Sequence, residues 1–168
     1  MTDKEYFFHQ TPVELAKDLI ATIPFVEGDL VLEPFKGEGA FYNNFPSFII
    51  KEWTEITQGR DYLTHKTEVD WVVSNPPFKL TNGGGNRENS FWKLVKHYLP
   101  LVRKGICFLG NDYCLSTLTP KRLEELSQAG FSVHKVVVCN VKKWRGRYFF
   151  ITISKGQSPF YSHLIKSY

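Results

Sequence analysis

Val69-Asp70-Trp71-Val72-Val73-Ser74-Asn75-Pro76-Pro77-Phe78 decides how this chain is read. The run 69–74 lacks the polar–apolar alternation of a half-exposed strand, which predicts a parallel strand covered on both faces. Two prolines then stop the sheet ladder, because they have no N–H to give. Asn75, which precedes them, is held in an extended conformation. Phe78 is carried past the strand end into the crevice above the sheet. A rigid turn that presents one amide and one aromatic ring is suited to holding a small planar amine.

Upstream, Asp29-Leu30-Val31-Leu32-Glu33 reads as a second short buried strand that runs into Pro34-Phe35-Lys36-Gly37-Glu38-Gly39-Ala40-Phe41. An acidic strand end followed by Gly37-x-Gly39 predicts a tight strand-to-helix turn. Its glycines let a ligand approach the backbone at a helix N-terminus. The third glycine of the dinucleotide fingerprint is absent, which argues against a nicotinamide cofactor. Residues 49–56 predict the next strand. It ends near Glu55, 18 positions beyond Gly37, close to the roughly 20-residue offset at which an acidic side chain meets a ribose. Asp61 follows the Gly59-Arg60 turn, placed to accept a hydrogen from an adenine amino group.

Further out, Thr11-Pro12-Val13-Glu14 is a helix start: a capping threonine, a proline suited to the first helical position and a capping-box glutamate. Leu15, Ala16, Leu19, Ile20 and Ile23 share one face of that helix, and Pro24 ends it. Residues 79–89 contain the glycine-rich Thr81-Asn82-Gly83-Gly84-Gly85-Asn86-Arg87, either a substrate lid or a merely tolerant loop. A helix follows at 90–99 and a buried strand at 105–109. Thr119-Pro120 starts another helix, which Gly130 closes. Strands at 132–141 and 148–154 pair through Lys142-Lys143-Trp144-Arg145-Gly146-Arg147. That basic, aromatic connection suits phosphates and a stacked base, or else solubilises an exposed hairpin with one packed Trp.

Strands alternating with helices, then a terminal hairpin, predict an α/β fold: a Rossmann-like three-layer sandwich with a mostly parallel sheet and a C-terminal antiparallel hairpin. Ligands bind such sheets beyond the carboxyl ends of the strands. Glu33, Glu55, Asp61 and Asn75 all fall at such ends. The 168 residues fit one domain, 1–168, and 42% hydrophobic residues supply a normal core. A net charge of +4 is compatible with a nucleic-acid partner without establishing one. No apolar run reaches the ~18 residues of a membrane span, and the polar N-terminus lacks a signal peptide's apolar core. Three cysteines without metal-type spacing read as reduced thiols of an intracellular, cytoplasmic protein. The five histidines form no paired ligand pattern, so no metal site is expected.

These stretches resemble the S-adenosylmethionine-dependent amino-methyltransferases of the N6-adenine type. Asn75-Pro76-Pro77-Phe78 resembles that family's catalytic motif. Glu33-Pro34-Phe35-Lys36-Gly37-Glu38-Gly39-Ala40-Phe41 resembles its cofactor loop, with Glu33 where aspartate is commoner. Phe8-His9-Gln10-Thr11-Pro12 resembles the segment that touches the methionine part of the cofactor. The motif order is similar to the gamma arrangement of DNA adenine methyltransferases, and the resemblance covers residues 7 to 154. It implies a seven-stranded sheet and S-adenosyl-L-methionine as cofactor. For the site it implies Asn75, Pro76, Pro77 and Phe78 around the target amine, and Thr11, Glu33, Pro34, Gly37, Gly39, Glu55, Asp61 and Asn75 around the cofactor. Lys142, Lys143, Trp144, Arg145 and Arg147 are the candidate nucleic-acid contacts.

Two departures bear on the substrate. No separate target-recognition region is expected within 1–168. The segment between the Glu55 strand and Asp61 is too short for a complete helix. The first reading is methyl transfer to the N6 amino group of adenine in DNA. Its alternatives are the same chemistry on RNA, where small enzymes of this kind often depend on a partner subunit; protein glutamine methylation, which Phe78 and Glu33-Pro34-Phe35 argue against; and a catalytically silent binding subunit, which has no reason to keep the Asn75–Phe78 motif.

Overall fold

The computed structural model describes residues 10–81 and 87–156. Six strands form one sheet: β1 (Leu30–Glu33), β2 (Ile50–Trp53), β3 (Val69–Ser74), β6 (Val102–Asn111), β7 (Phe131–Cys139) and β8 (Tyr148–Lys155), in the order β2-β1-β3-β6-β8-β7. The first four are parallel to one another, and β8 runs antiparallel between β6 and β7. The mostly parallel sheet with its antiparallel terminal pair is therefore present.

Alternation along the central strands assigns the two faces. Val31, Trp71, Val73, Cys107, Leu109 and Phe150 pack with Ala16, Leu19 and Ile20 of α1 (Val13–Ile20) on one side. Leu32, Val72, Ile106, Phe108, Ile151 and Ile153 face α2 (Ser90–Tyr98) and α4 (Pro120–Gln128) on the other. Because β3 is flanked by apolar layers on both sides, Trp71, Val72 and Val73 are all buried, which is why its sequence shows no alternation. Three layers result, as expected.

The strand order also locates a crevice. From β1 the chain goes outward to β2, then returns across β1 to β3 and on to β6. The carboxyl ends of β1 and β3 are therefore a topological switch point, where ligands enter open α/β sheets. Glu33 ends β1, and Asn75 follows the last residue of β3.

Several elements differ from expectation. The described sheet has six strands where the resemblance implied seven, and the segment around Asp61 forms two 3-10 turns, Ile56–Gln58 and Tyr62–Thr64. Glu55 and Asp61 each cap one of these turns through their own side chains, so the backbone is committed to turns. The glycine loop leads to a 3-10 turn, Tyr42–Asn44, instead of the expected helix. Asn43, Asn44 and Pro46 are poor helix formers, while Phe41 and Phe45 still bury their rings. Pro12, and not Thr11, caps α1. Residues 79–89 are more ordered at their ends than a loop, because β4 (Lys79–Thr81) pairs antiparallel with β5 (Arg87–Asn89). The glycines between them, and Phe8 and His9 before α1, lie outside the described residues. A five-residue helix, α3 (Asp112–Ser116), was unannounced. Among the described residues no helix is long and apolar enough to cross a membrane.

Candidate active site

The loop after β1 is stitched to the strands on both sides of it. The Thr54 N–H donates to Glu33 O at 3.0 Å and the Lys36 N–H to Thr54 O at 3.1 Å. Thr54 Oγ1 donates to Pro34 O at 2.6 Å. On the other side, Ser74 Oγ donates to Phe35 O at 3.5 Å. Pro34 is thus a buried corner of the loop, locked by its carbonyl.

Glu33 and Glu55, both buried, end up in opposite states. Glu33 Oε2 accepts from the Tyr42 N–H at 2.7 Å. Burial dominates, however, and pushes its carboxyl up to about 9, against the smaller pull of that N–H and of Lys36. Burial would raise Glu55 as well. There the Gly37 N–H at 2.8 Å and the backbone and hydroxyl of Thr57 at 3.1 and 2.8 Å together outweigh it, and hold the carboxyl below its ordinary value. One protonated and one ionised carboxyl therefore stand at neighbouring strand ends near neutral pH.

The two glycines have different reasons to be glycine. Gly37 has φ +52°, and a Cβ there would meet nothing within 4 Å. Gly39 has φ +85°, and its Cβ would lie 2.7 Å from Asn43 Nδ2. Open space at Gly37 suits a ligand's approach, whereas Gly39 is required by the turn itself. Gly39→Ala is expected to lower stability by about 1–2 kcal/mol through the left-handed backbone alone, read as a shifted urea midpoint with an unchanged slope.

Asp61 caps its own turn, and the contact with the β1 loop comes from its neighbour. Its Oδ1 accepts from the Leu63 N–H at 3.0 Å, and the next residue, Tyr62, packs on Phe35 of the β1 loop with ring centroids 5.0 Å apart. On the edge strand, Lys36 and Arg60 stand over the Trp53 ring at 4.4 and 4.2 Å. Ile56, next to Glu55, is an apolar side chain left 67% exposed beside the site.

At the end of β3 the main chain is clamped. Ser90, the first residue of α2, donates its hydroxyl to Pro77 O and its N–H to Phe78 O, the latter at 3.2 Å. Asn75 Nδ2 donates to Thr11 Oγ1 at 3.1 Å. Thr11, Asn75 and the β1 loop thus meet at the switch point.

Phe78 leads to the basic connection. Its ring centroid lies 6.1 Å from that of Tyr148, which lies 4.7 Å from that of Trp144. Tyr148 Oη donates to Arg145 O at 3.0 Å. The row Phe78–Tyr148–Trp144 sets the 142–147 segment beside the proline turn, with Lys142, Lys143, Arg145 and Arg147 exposed. Arg147 spends part of its charge on Asp112, 3.5 Å away. Tyr148, Thr57 and Ser90 escaped sequence reasoning. Only Tyr148 carried a signal, an aromatic opening the last strand directly after a basic run.

No protein-family model and no curated protein matches the sequence. Solved structures match in fold. TrmN from Thermus thermophilus aligns with a TM-score of 0.58 at 19% identity, over 86% of this chain and 49% of that one. Magnesium protoporphyrin IX methyltransferase from Synechocystis PCC 6803, with bound S-adenosylmethionine, aligns with a TM-score of 0.60 at 10% identity, over 86% and 78%. A chain described as the modification subunit of a putative type I restriction enzyme, from Vibrio vulnificus YJ016, aligns with a TM-score of 0.67 at 14% identity, over 89% and 45%. The chain spans about half the length of the first and less than half of the last. At these identities the likeness is one of fold: a Rossmann-like sandwich shared with methyltransferases.

Proposed function

We propose that the chain is an S-adenosylmethionine-dependent methyltransferase that modifies the N6 amino group of adenine in DNA. The observation that carries this is the meeting of the Asn75–Phe78 turn, Thr11 and the Glu33–Gly37 loop at one switch point. The fold shared with a cofactor-bound methyltransferase, and with a restriction modification subunit, supports it.

The residues present suit the cofactor. Glu33 is a buried carboxyl whose value burial raises against the smaller pull of Lys36, a complement for the methionine ammonium. The open space at Gly37 lets the backbone approach. Glu55 is ionised and serves the ribose hydroxyls, Asp61 serves the adenine amine, and Ile56 offers an apolar contact. When bound, S-adenosylmethionine supplies an electrophilic methyl group on sulfonium.

The chain's own work is at the amine. An exocyclic adenine nitrogen is a weak nucleophile, because its lone pair is delocalised into the ring. Asn75 Oδ1 and the Pro76 carbonyl accept its two hydrogens. They orient the lone pair and stabilise the positive charge that develops on nitrogen. Phe78 stacks on the base, worth about 1–3 kcal/mol. No strong base is needed, since the methylated nitrogen is acidic enough to lose its proton to water. Reaching the nitrogen requires a flipped or single-stranded nucleotide. Exposed cations of the 142–147 segment hold the flanking phosphates while Trp144 lines the approach.

The test is incubation with labelled cofactor and duplex DNA, single-stranded DNA, RNA or protein, followed by mass spectrometry of nucleosides and peptides. N6-methyldeoxyadenosine that disappears with Asn75→Ala is the expected result. Label in RNA alone moves the substrate to RNA, and label in glutamine overturns the reading. Removing Lys142, Lys143 and Arg145 together should weaken DNA binding at every sequence. It should also flatten the dependence of log K on log salt by about 0.9 for each phosphate that is no longer neutralised, measured by fluorescence anisotropy, with cofactor affinity unchanged.

A further inference from the structure

Thr11 and Asn75 are 64 residues apart in sequence, yet the Asn75 amide donates to the Thr11 hydroxyl at 3.1 Å. Thr11 stands outside α1, which begins beyond Pro12, so its hydroxyl is turned to the proline turn and not to the helix end. A hydroxyl accepts through its lone pairs and has a single hydrogen to give. With the amide nitrogen on its acceptor side, that hydrogen points elsewhere. The bond also fixes the Asn75 amide: an amide held by its nitrogen presents its oxygen in a set direction. Clamping of Pro77 and Phe78 by Ser90 fixes the main chain, and the bond to Thr11 adds a restraint on the Asn75 side chain.

We propose that Thr11 is a positioning residue that couples the two halves of the site. It holds Asn75 by its nitrogen so that Oδ1 faces the target amine, and it gives its own hydrogen to the carboxylate of the cofactor's methionine moiety. Filling the cofactor site then also sets the acceptor geometry. The inference rests on the methyltransferase reading above. Its consequence is reciprocal coupling: cofactor or its product raises affinity for adenine, and adenine raises affinity for cofactor by the same factor.

Thr11→Val removes the hydroxyl at nearly constant shape, and Thr11→Ser keeps it. The side-chain amide resonances of Asn75, identified by their loss in Asn75→Ala, should move in Thr11→Val and stay in place in Thr11→Ser. Titration with S-adenosylhomocysteine should move them in the parent and not in Thr11→Val. At saturating cofactor, kcat should fall about 10–100-fold in Thr11→Val, as expected for a displaced reacting group. It should recover in Thr11→Ser, and KM for DNA should rise in Thr11→Val, because bound cofactor no longer raises affinity for adenine. Parent-like kcat and parent-like Asn75 resonances in Thr11→Val would overturn the proposal. So would a parent protein whose Asn75 resonances ignore the product. A parent that forms no N6-methyladenine overturns the methyltransferase reading instead, and leaves the Thr11–Asn75 bond to be judged by the resonances alone.

Discussion

Asn75→Ala is expected to cut methyl transfer to adenine by about 10²–10³-fold, the range for removing one preorganised partner of a charge that develops in the transition state. Cofactor affinity should change far less. The argument is local. Asn75 follows the last residue of β3, and the two prolines after it fix the direction of the chain. Ser90 holds the carbonyls of Pro77 and Phe78, so the turn does not depend on the Asn75 side chain for its shape. Alanine leaves that turn in place and removes the amide alone. The lost bond to Thr11 costs about 1 kcal/mol of stability, too little to explain a hundredfold loss of rate. Asn75→Asp restores an oxygen acceptor but not the N–H that Thr11 accepts, so this variant should recover only part of the rate. The measurement is single-turnover transfer at saturating cofactor with urea unfolding of each variant. An Asn75→Ala protein that transfers methyl groups within about threefold of the parent would remove the amide from the proposed chemistry.

That variant could be chosen from the sequence alone, because the features that mark Asn75 are local. Two prolines after a valine-rich run state both where the strand stops and what the stop presents. Glu33 and Glu55 were legible for the same reason: each is an acid at a predicted strand end. What sequence could not supply was the state of those acids. Glu33 is desolvated more strongly, and Gly37 and Thr57 donate to Glu55 while only Tyr42 donates to Glu33. Thr11 was legible as a candidate and misread as a helix cap, because Pro12 can end the preceding chain by itself. Its bond to Asn75 spans most of the first half of the chain, and no local pattern encodes it. The helix expected after Gly39 failed on Asn43, Asn44 and Pro46, where tight packing of Phe41 and Phe45 under the loop needs only one turn. Tyr148 shows the same limit from the other side. Its place between Phe78 and Trp144 is made by antiparallel pairing of β8 with β6, a long-range event.

Glu33→Gln should make the ligand-free protein more stable at alkaline pH and poorer at holding cofactor. Burial raises the folded-state value of Glu33 to about 9 from an ordinary 4.5. The folded chain therefore keeps a proton that the unfolded chain has already released. This contribution to stability is fully present below about 4.5 and is lost as pH rises towards about 9. One pH unit in that window corresponds to about 1.4 kcal/mol, so by neutral pH the parent has given up on the order of 3 kcal/mol at this position. Glutamine does not titrate and occupies nearly the same volume. The two proteins should melt together at about pH 4.5 and separate as pH rises, the variant higher. Its amide oxygen can still accept from the Tyr42 N–H, so the loop should keep its shape. Cofactor binding goes the other way. A cationic ammonium beside Glu33 favours the ionised carboxylate, so at mildly alkaline pH the parent should release a proton when it binds. Calorimetry in buffers of different ionisation enthalpy would detect that release, and Glu33→Gln should abolish it together with about tenfold or more of the affinity, the cost of an unpaired charge. Parallel melting curves for parent and variant across this range would show that Glu33 is ionised in the folded protein and has no part in the coupling.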